Sequence, residues 1–147
     1  LRDGGPALSP IIVDGLLFHA DEFVAEWVSK SCGGGKVFAP FVAIGVINKN
    51  DLSAGAVFHS YSGQDVTVTA ASARPSLRLR SAIRAGLSYA FNQLQVARGS
   101  AEIEMENTRM IRLAEGLGFV REGVKRKAAP NGKHVGVFGL LKKDFKL

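Results

Sequence analysis

A group of arginines beside the predicted start of a helix is the first feature of this chain that could do chemistry. The group consists of Arg74, Arg78, Arg80 and Arg84, and Pro75 suits the first turn of the helix that they flank. The free N–H groups and the positive dipole end at a helix N-terminus favour anions. Arginine side chains add charge-assisted hydrogen bonds to phosphate oxygens. The pattern therefore predicts a phosphate-binding site at the start of this helix.

A row of carboxylates could transfer protons. Residues 101–106 alternate apolar and acidic side chains with the period of a strand, and Glu104 stands between Glu102 and Glu106. A carboxylate in that position could serve as a general base. The alternative is structural: the row lines a solvated face or pairs with the helix arginines.

His59 and Tyr61 are further candidates for proton transfer. The ordinary pKa of histidine is about 6.5, so His59 could act near neutral pH. The alternative for His59 is a packed or exposed structural role. Tyr61 could donate a proton to a leaving group. The remaining candidate metal ligands, His19, His134 and Cys32, show no metal-ligand spacing, and no metal site is predicted.

Hydrophobic periodicity predicts the elements that would position these residues. The predicted strands cover residues 11–18, 37–47, 54–61, 66–73, 101–106, 119–127 and 134–141. The predicted helices cover residues 21–32, 75–98 and 108–117. The apolar face of the first helix is expected to consist of Phe23, Val24, Trp27 and Val28.

Turns and caps connect these elements. Residues 48–51 and residues 130–132 carry the composition of hairpin turns. Asn107 is the predicted N-cap of the third helix, and Gly118 is its predicted left-handed C′ residue. The strand–helix–strand step from residue 66 to residue 105 predicts a right-handed crossover between two parallel strands. The predicted fold class is therefore α/β, with one mixed central sheet and helices on both faces.

Length and composition indicate one domain over residues 1–147, large enough to bury its own core. The single Cys32 excludes a disulfide framework and fits a reducing compartment. We see no leader peptide, and the longest apolar run is too short to cross a bilayer. We therefore expect a cytoplasmic monomer or homodimer that does not associate with membranes.

The positive charge lies in the last fifth of the chain. Residues 121–147 hold eight Lys or Arg against two acidic residues, which accounts for the whole net charge of +6. Such a basic hairpin could meet a nucleic acid, an acidic protein or a phosphorylated cofactor. The alternative is a solvated hairpin that aids solubility.

Residues 107–119 resemble a motif of the GNAT superfamily of acyl-CoA N-acyltransferases. The segment reads NTRMIRLAEGLGF and is similar to the family pattern N-x-x-A-x-x-L-Y-x-K-x-G-F. Its continuation, REGV at residues 121–124 and VFGLLK at residues 137–142, is most similar to ribosomal-protein N-terminal acetyltransferases and to acetyltransferase-like proteins of phages. The strand over residues 66–73 that runs into the second helix is similar to the family's coenzyme A site. The resemblance covers residues 37–145 and implies the GNAT fold.

The resemblance implies an N-acetyltransferase that passes the acetyl group of acetyl-CoA to a primary amine by direct attack in a ternary complex. The implied acetyl-CoA contacts are Ala71, Ser72, Ala73, Arg74, Arg78, Leu79, Arg80, Ser81 and Asn107. A backbone N–H of the strand at residues 66–73 would polarise the thioester carbonyl. The acceptor side would use Glu104 or His59 as general base and Tyr61 as proton donor to the thiolate.

Two departures from the family pattern support an alternative function. Leu77 and Leu79 stand where the family's phosphate loop carries small residues, and Ala114 stands where many members have the Tyr that protonates the thiolate. The alternative is a GNAT-fold binding module that has lost catalysis, with its basic hairpin available to a nucleic acid.

Overall fold

In the part of the chain that the structure describes, eight strands form one sheet and three helices pack against it. The computed structural model describes residues 8–32, 40–73 and 77–146. The strands are β1 Ile11–Val13, β2 Leu16–Phe18, β3 Phe41–Asn48, β4 Asp51–His59, β5 Asp65–Ser72, β6 Arg98–Glu104, β7 Val120–Lys125 and β8 Val135–Leu141. The helices are α1 Asp21–Ser31, α2 Leu77–Asn92 and α3 Thr108–Leu117, and a 3-10 turn follows at Lys142–Asp144.

The strand order is β1-β2-β3-β4-β5-β6-β8-β7. Every neighbouring pair is antiparallel except β5 and β6, which are parallel and joined through α2. This confirms the predicted parallel pairing of the two strands and the mixed α/β sheet.

The two faces of the sheet carry separate apolar clusters. On one face Val24 and Val28 of α1 lie so close to β4 that a Cβ at Gly55 would come within 2.9 Å of a methyl group of each. On the opposite face α2 and α3 pack over the other side chains of the same strands, including Phe58 and Val66. Alternation along each strand therefore decides which helix a given side chain meets.

The ends of α3 follow local rules. The Asn107 side-chain oxygen accepts a hydrogen bond from the Met110 N–H at 3.2 Å, and Gly118 takes a left-handed φ of 111°. Both predicted caps are confirmed. The hairpin between β3 and β4 turns on Lys49 and Asn50, whose φ values of 52° and 68° fit a type I′ turn.

The prediction of one strand over residues 11–18 is wrong. Asp14 and Gly15 have φ values of 52° and 78° and turn the chain, so that β1 and β2 form a short hairpin. The Asp-Gly pair is a strong hairpin signal when apolar residues flank it. The three residues of β1 are about half exposed, at 47% to 58%.

Two further predictions need correction. The second helix ends at Asn92 rather than near residue 98, because Gln95 turns the chain with φ 60° and the Val96 N–H bonds back to the Ala90 carbonyl at 3.2 Å. In α1 the Phe23 side chain is 59% exposed, and Ala25 is buried in its place. The predicted start of β3 at residues 37–39 lies outside the described residues.

The turn at residues 130–132 is confirmed, since the Gly132 N–H donates to the Ala129 carbonyl at 2.8 Å. None of the described helices is long and apolar enough to cross a membrane.

Gly118→Ala should lower the free energy of unfolding more than Gly132→Ala. Both glycines have positive φ, 111° and 82°, so alanine at either position carries a strain of about 1–2 kcal/mol. At Gly118 the added Cβ would also overlap the backbone carbonyl oxygen of Asp144, whereas nothing lies within 4 Å at Gly132. Urea denaturation should show at least about 1 kcal/mol more loss at Gly118. Equal losses would contradict the packing of the C-terminal segment on α3.

Candidate functional site

The candidate site is a gap between two parallel strands. Asp65 to Val68 of β5 pair with Arg98 to Ala101 of β6, and the ladder ends there. Beyond that point β5 continues to Ser72 against β4, while β6 continues to Glu104 against β8. The two strands therefore separate within the sheet without either of them losing its outer neighbour.

Arg98 holds the closed end of the gap. Its guanidinium lies 2.9 Å from a Glu122 carboxylate oxygen on β7 and 3.7 Å from an Asp65 oxygen on β5. The bond to Glu122 reaches across β8 at Gly139, where a Cβ would overlap both side chains. The hydrogen bond with Glu122 is the main cause that raises the pKa of Arg98, while burial opposes the shift. Ser100 also donates to Asp65 at 2.8 Å, so side chains of three strands, β5, β6 and β7, are tied together at this end.

A cavity of about 790 Å³ occupies the gap. Its walls come from the ends of α1 and β4, from β5, β6 and α3, and from the loop between β7 and β8. The described lining includes the polar side chains Ser31, Cys32, His59, Ser60, Thr67, Thr69, Ser72, Glu102, Glu104, Asn107 and Asn131. A cavity of this size is in the range of small-molecule sites.

The backbone of β5 presents hydrogen-bonding groups to this cavity. The Ala73 N–H donates to the Ser53 carbonyl at 2.9 Å, on the β4 side. Because N–H directions alternate along a strand, the N–H groups of Ala70 and Ser72 are aimed the other way, toward the gap. At Ala70 β6 no longer supplies a ladder partner, and the side chain there is a single methyl group.

The α1 face of the gap carries a chain of polar side chains. His59 Nε2 lies 2.8 Å from Thr69 Oγ1, and His59 Nδ1 lies 2.9 Å from Ser60 Oγ. Thr69 is the first β5 residue after the last one that pairs with β6. The structure thus places His59, one of the predicted catalytic residues, in the cavity wall.

The carboxylates of residues 102–106, at the end of β6 and just after it, pair with the basic hairpin and not with the helix arginines. Lys125 Nζ lies 2.7 Å from Glu102, Asn131 Nδ2 donates to Glu104 at 2.9 Å, and Lys133 bonds to Glu106. The hydrogen bond to Glu106 is the main cause that raises the pKa of Lys133. Glu102 and Glu104 lie on the α1 face of β6, because Ala101 and Ile103 occupy the opposite face.

Several other predicted site residues lie away from the cavity. Arg78 donates to the Asp14 carbonyl in the β1–β2 turn, Leu79 is a core residue at 2% exposure, and Ser81 is exposed. Arg80 donates to the Gly116 carbonyl near the end of α3 at 3.1 Å, and Tyr61 is 37% exposed outside the cavity lining. Arg74 lies outside the described residues.

Five polar residues of the cavity were not predicted from the sequence as site residues: Ser31, Ser60, Thr67, Thr69 and Asn131. Thr69 belongs to a strand rich in Val and Thr, where a threonine is ordinarily taken as a strand former. Thr69 lies two residues along β5 from Thr67, which is the register partner of His59. This proximity could be deduced only once the pairing of β4 with β5 was known.

Solved structures of acetyltransferases share this architecture. An acetyltransferase of the GNAT family from Bacillus anthracis matches with TM-score 0.67 and 23% identity, over 92% of this chain and 99% of that one. Spermidine N-acetyltransferase from Vibrio cholerae, in complex with CoA and spermine, matches with TM-score 0.63 and 18% identity, over 72% and 68%. A third neighbour, a probable acetyltransferase, matches with TM-score 0.65 and 21% identity. This chain spans only 63% of the length of that protein.

No protein-family model matches the sequence, and no curated protein matches it. The structural matches show that the chain has the GNAT fold, which confirms the superfamily resemblance at the level of the fold. The two branches named from residues 121–142 stay a prediction.

Asn107→Ala should lower the free energy of unfolding by about 1 kcal/mol, because the N-cap bond to Met110 is lost. Asn107→Asp keeps an N-cap oxygen and should stay close to wild type. Urea denaturation of the two variants gives the comparison. If both variants lose the same stability, the side chain does not act as a cap.

Proposed function

We propose that this protein is an acetyl-CoA-dependent N-acetyltransferase that passes the acetyl group to a primary amine by direct attack in a ternary complex. The observation that carries the proposal is the separation of β5 and β6 after Val68 and Ala101, which opens a cavity of about 790 Å³ in the sheet. A slot of this kind suits an extended, peptide-like arm such as pantetheine, because an exposed strand edge can pair with it. CoA is bound in one of the structural neighbours, which adds support.

The β5 edge would hold the acyl arm. The N–H groups of Ala70 and Ser72 are the donors aimed at the gap, and one of them would polarise the thioester carbonyl as charge develops on its oxygen. Ala70 and Ala71 have small side chains, so a ligand backbone could approach closely. Ala73, which was also predicted to contact acetyl-CoA, uses its N–H within the sheet.

The first turn of α2 would hold the phosphates. The helix begins at Leu77, so the N–H groups of Arg78 and Leu79 have no partner within the helix. Leu79 would contribute only its backbone, because its side chain is in the core. Arg80 stays a proposed contact whose guanidinium must leave, or share, the Gly116 carbonyl.

The carboxylate row at residues 102–106 would receive a cationic acceptor. The ion pairs of Glu102 with Lys125 and of Glu106 with Lys133 are well exposed, at 49% to 69% of the side-chain surface. Exposed pairs of this kind contribute about 0–1 kcal/mol, so an incoming ammonium group could replace the lysines at small cost. Glu104 and His59 are the two candidate bases in the cavity wall.

A second candidate function, a binding module without catalysis, is favoured by Ala114. This residue is 5% exposed and lines the cavity from α3, where many members of the resembled family carry a tyrosine. The module would bind acetyl-CoA without releasing free thiol. Thiol release above the rate of the buffer blank would remove it.

Calorimetric titration with acetyl-CoA tests the proposed function. Wild type should bind with a Kd below about 1 mM, which corresponds to roughly −4 kcal/mol. Ala114→Phe should weaken binding at least about tenfold, since the ring extends into the cavity and removes volume that the ligand needs.

Ala97→Phe serves as the control, because Ala97 is exposed and lies outside the cavity lining. Circular dichroism of both variants checks that each one is folded. The proposal is wrong if wild type shows no heat of binding up to about 1 mM ligand, or if the two variants bind equally well.

A further inference from the structure

One relay of side chains in the cavity has the geometry to move a proton. The inference drawn from it rests on the proposed function. His59 is the last residue of β4 and pairs in register with Thr67 of β5. Its ring reaches diagonally along the sheet, so that Nε2 lies 2.8 Å from Thr69 Oγ1. Diagonal cross-strand neighbours are within reach of long or aromatic side chains.

Thr69 stands at the point where the strands separate. The last paired residues are Val68 and Ala101, so Thr69 is the first β5 residue beside the open gap. Its N–H faces β4, while its hydroxyl lies in the cavity wall on the α1 face. The neighbouring N–H of Ala70 is one of the two proposed oxyanion donors. A nucleophile attacking a carbonyl held there would lie beside the Thr69 hydroxyl.

Ser60 fixes the other side of the imidazole. Its backbone has a left-handed φ of 55°, which is uncommon for a residue with a side chain, and its Oγ lies 2.9 Å from His59 Nδ1. A neutral imidazole carries one N–H donor and one acceptor nitrogen. If Nδ1–H donates to Ser60, Nε2 is the acceptor and must take the hydroxyl proton of Thr69. The Thr69 oxygen then keeps its lone pairs for the cavity.

We propose that the Thr69 hydroxyl meets the acceptor nucleophile and that His59, oriented by Ser60, takes the proton through it. An ammonium acceptor first loses one proton, which passes to solvent through this relay. The neutral amine attacks the thioester carbon, forming the C–N bond. A second N–H proton leaves through Thr69 to His59 Nε2 as the C–S bond breaks, and it ends on the departing thiolate. One amide, one free thiol and one released proton balance the reaction.

Other titratable groups face the same space. The described cavity lining contains Cys32 from the end of α1 and Glu102 and Glu104 from β6, but β5 contributes no titratable side chain to it. Glu104 already accepts from Asn131, and Glu102 pairs with Lys125. Thr69 is therefore a catalytic residue in this proposal, whereas His59 and Ser60 are positioning residues that act through it.

The first test is the protonation pattern of the His59 ring. Long-range proton–nitrogen spectra of the labelled full chain report it, with the signal assigned by its loss in His59→Gln. In the neutral ring Nδ1 should carry the proton and Nε2 should be bare. Thr69→Val should shift the Nε2 signal, and Thr69→Ser should restore it. A proton on Nε2 overturns the proposal.

The second test is the rate of thiol release from acetyl-CoA, with water as the acceptor. Thr69→Val keeps the side-chain shape without the hydroxyl and should slow release at least about 100-fold, the size of a general-base contribution. Thr69→Ser keeps the hydroxyl and should stay within about fivefold of wild type. In wild type the rate should fall at acid pH as the imidazole becomes protonated and can no longer accept a proton, and His59→Gln should lose this limb.

The outcomes separate the two proposals. A wild type that neither binds acetyl-CoA nor releases thiol removes the proposed function, and this relay with it. A wild type that turns over while Thr69→Val is equally fast, with the same pH profile, removes the relay alone.

Discussion

The parallel ladder between β5 and β6 is only four residue pairs long, and the rest of the structure depends on that limit. The Arg98 guanidinium ties Asp65 to Glu122 at the closed end, so the strands cannot part there. At the open end each strand keeps its outer neighbour, β4 or β8, and the sheet stays intact on both sides. The gap is therefore a stable feature of the fold that leaves backbone groups of β5 available to a ligand.

The two faces of the sheet carry different kinds of side chain at this gap. On the face covered by α2 and α3 the lining is largely apolar and includes Met110 and Ala114. The α1 face carries His59, Thr69 and Glu104. In our account the acyl arm lies along the β5 edge, with its phosphates toward α2, and the proton-transfer groups meet the acceptor on the α1 face.

The features of the fold that local interactions determine could be predicted from the sequence. Asn107 and Gly118 define the ends of α3 through bonds within a few residues of each cap, so the sequence was sufficient there. The parallel crossover also followed, because the handedness and order of a strand–helix–strand unit are strongly constrained. The end of α2 could not be predicted from the sequence. No glycine or proline marks it before Gly99, and the position of the break depends on the burial of Val96.

The side-chain partners in the site could be identified only from the three-dimensional structure. Arg78 meets a carbonyl 64 residues away, and Glu102 meets Lys125 rather than a helix arginine. The His59–Thr69 pair depends on the register of β4 against β5. The apolar periodicity of a strand shows which of its faces is buried, but it does not show which residue of the neighbouring strand lies opposite. The fold was thus largely predictable, whereas the contacts that distinguish a catalytic side chain from a structural one were not.

The central claim is that the β5 edge beyond Val68 is the surface that holds the acyl arm. An amide spectrum of the full chain, recorded while acetyl-CoA is added, tests it directly. We predict that the N–H signals of Ala70 and Ser72 move most and that exchange of the Ala70 N–H with solvent slows, as expected for a new hydrogen bond. If these two signals stay in place while only those of the basic hairpin around Lys127 move, the β5 edge does not hold the acyl arm.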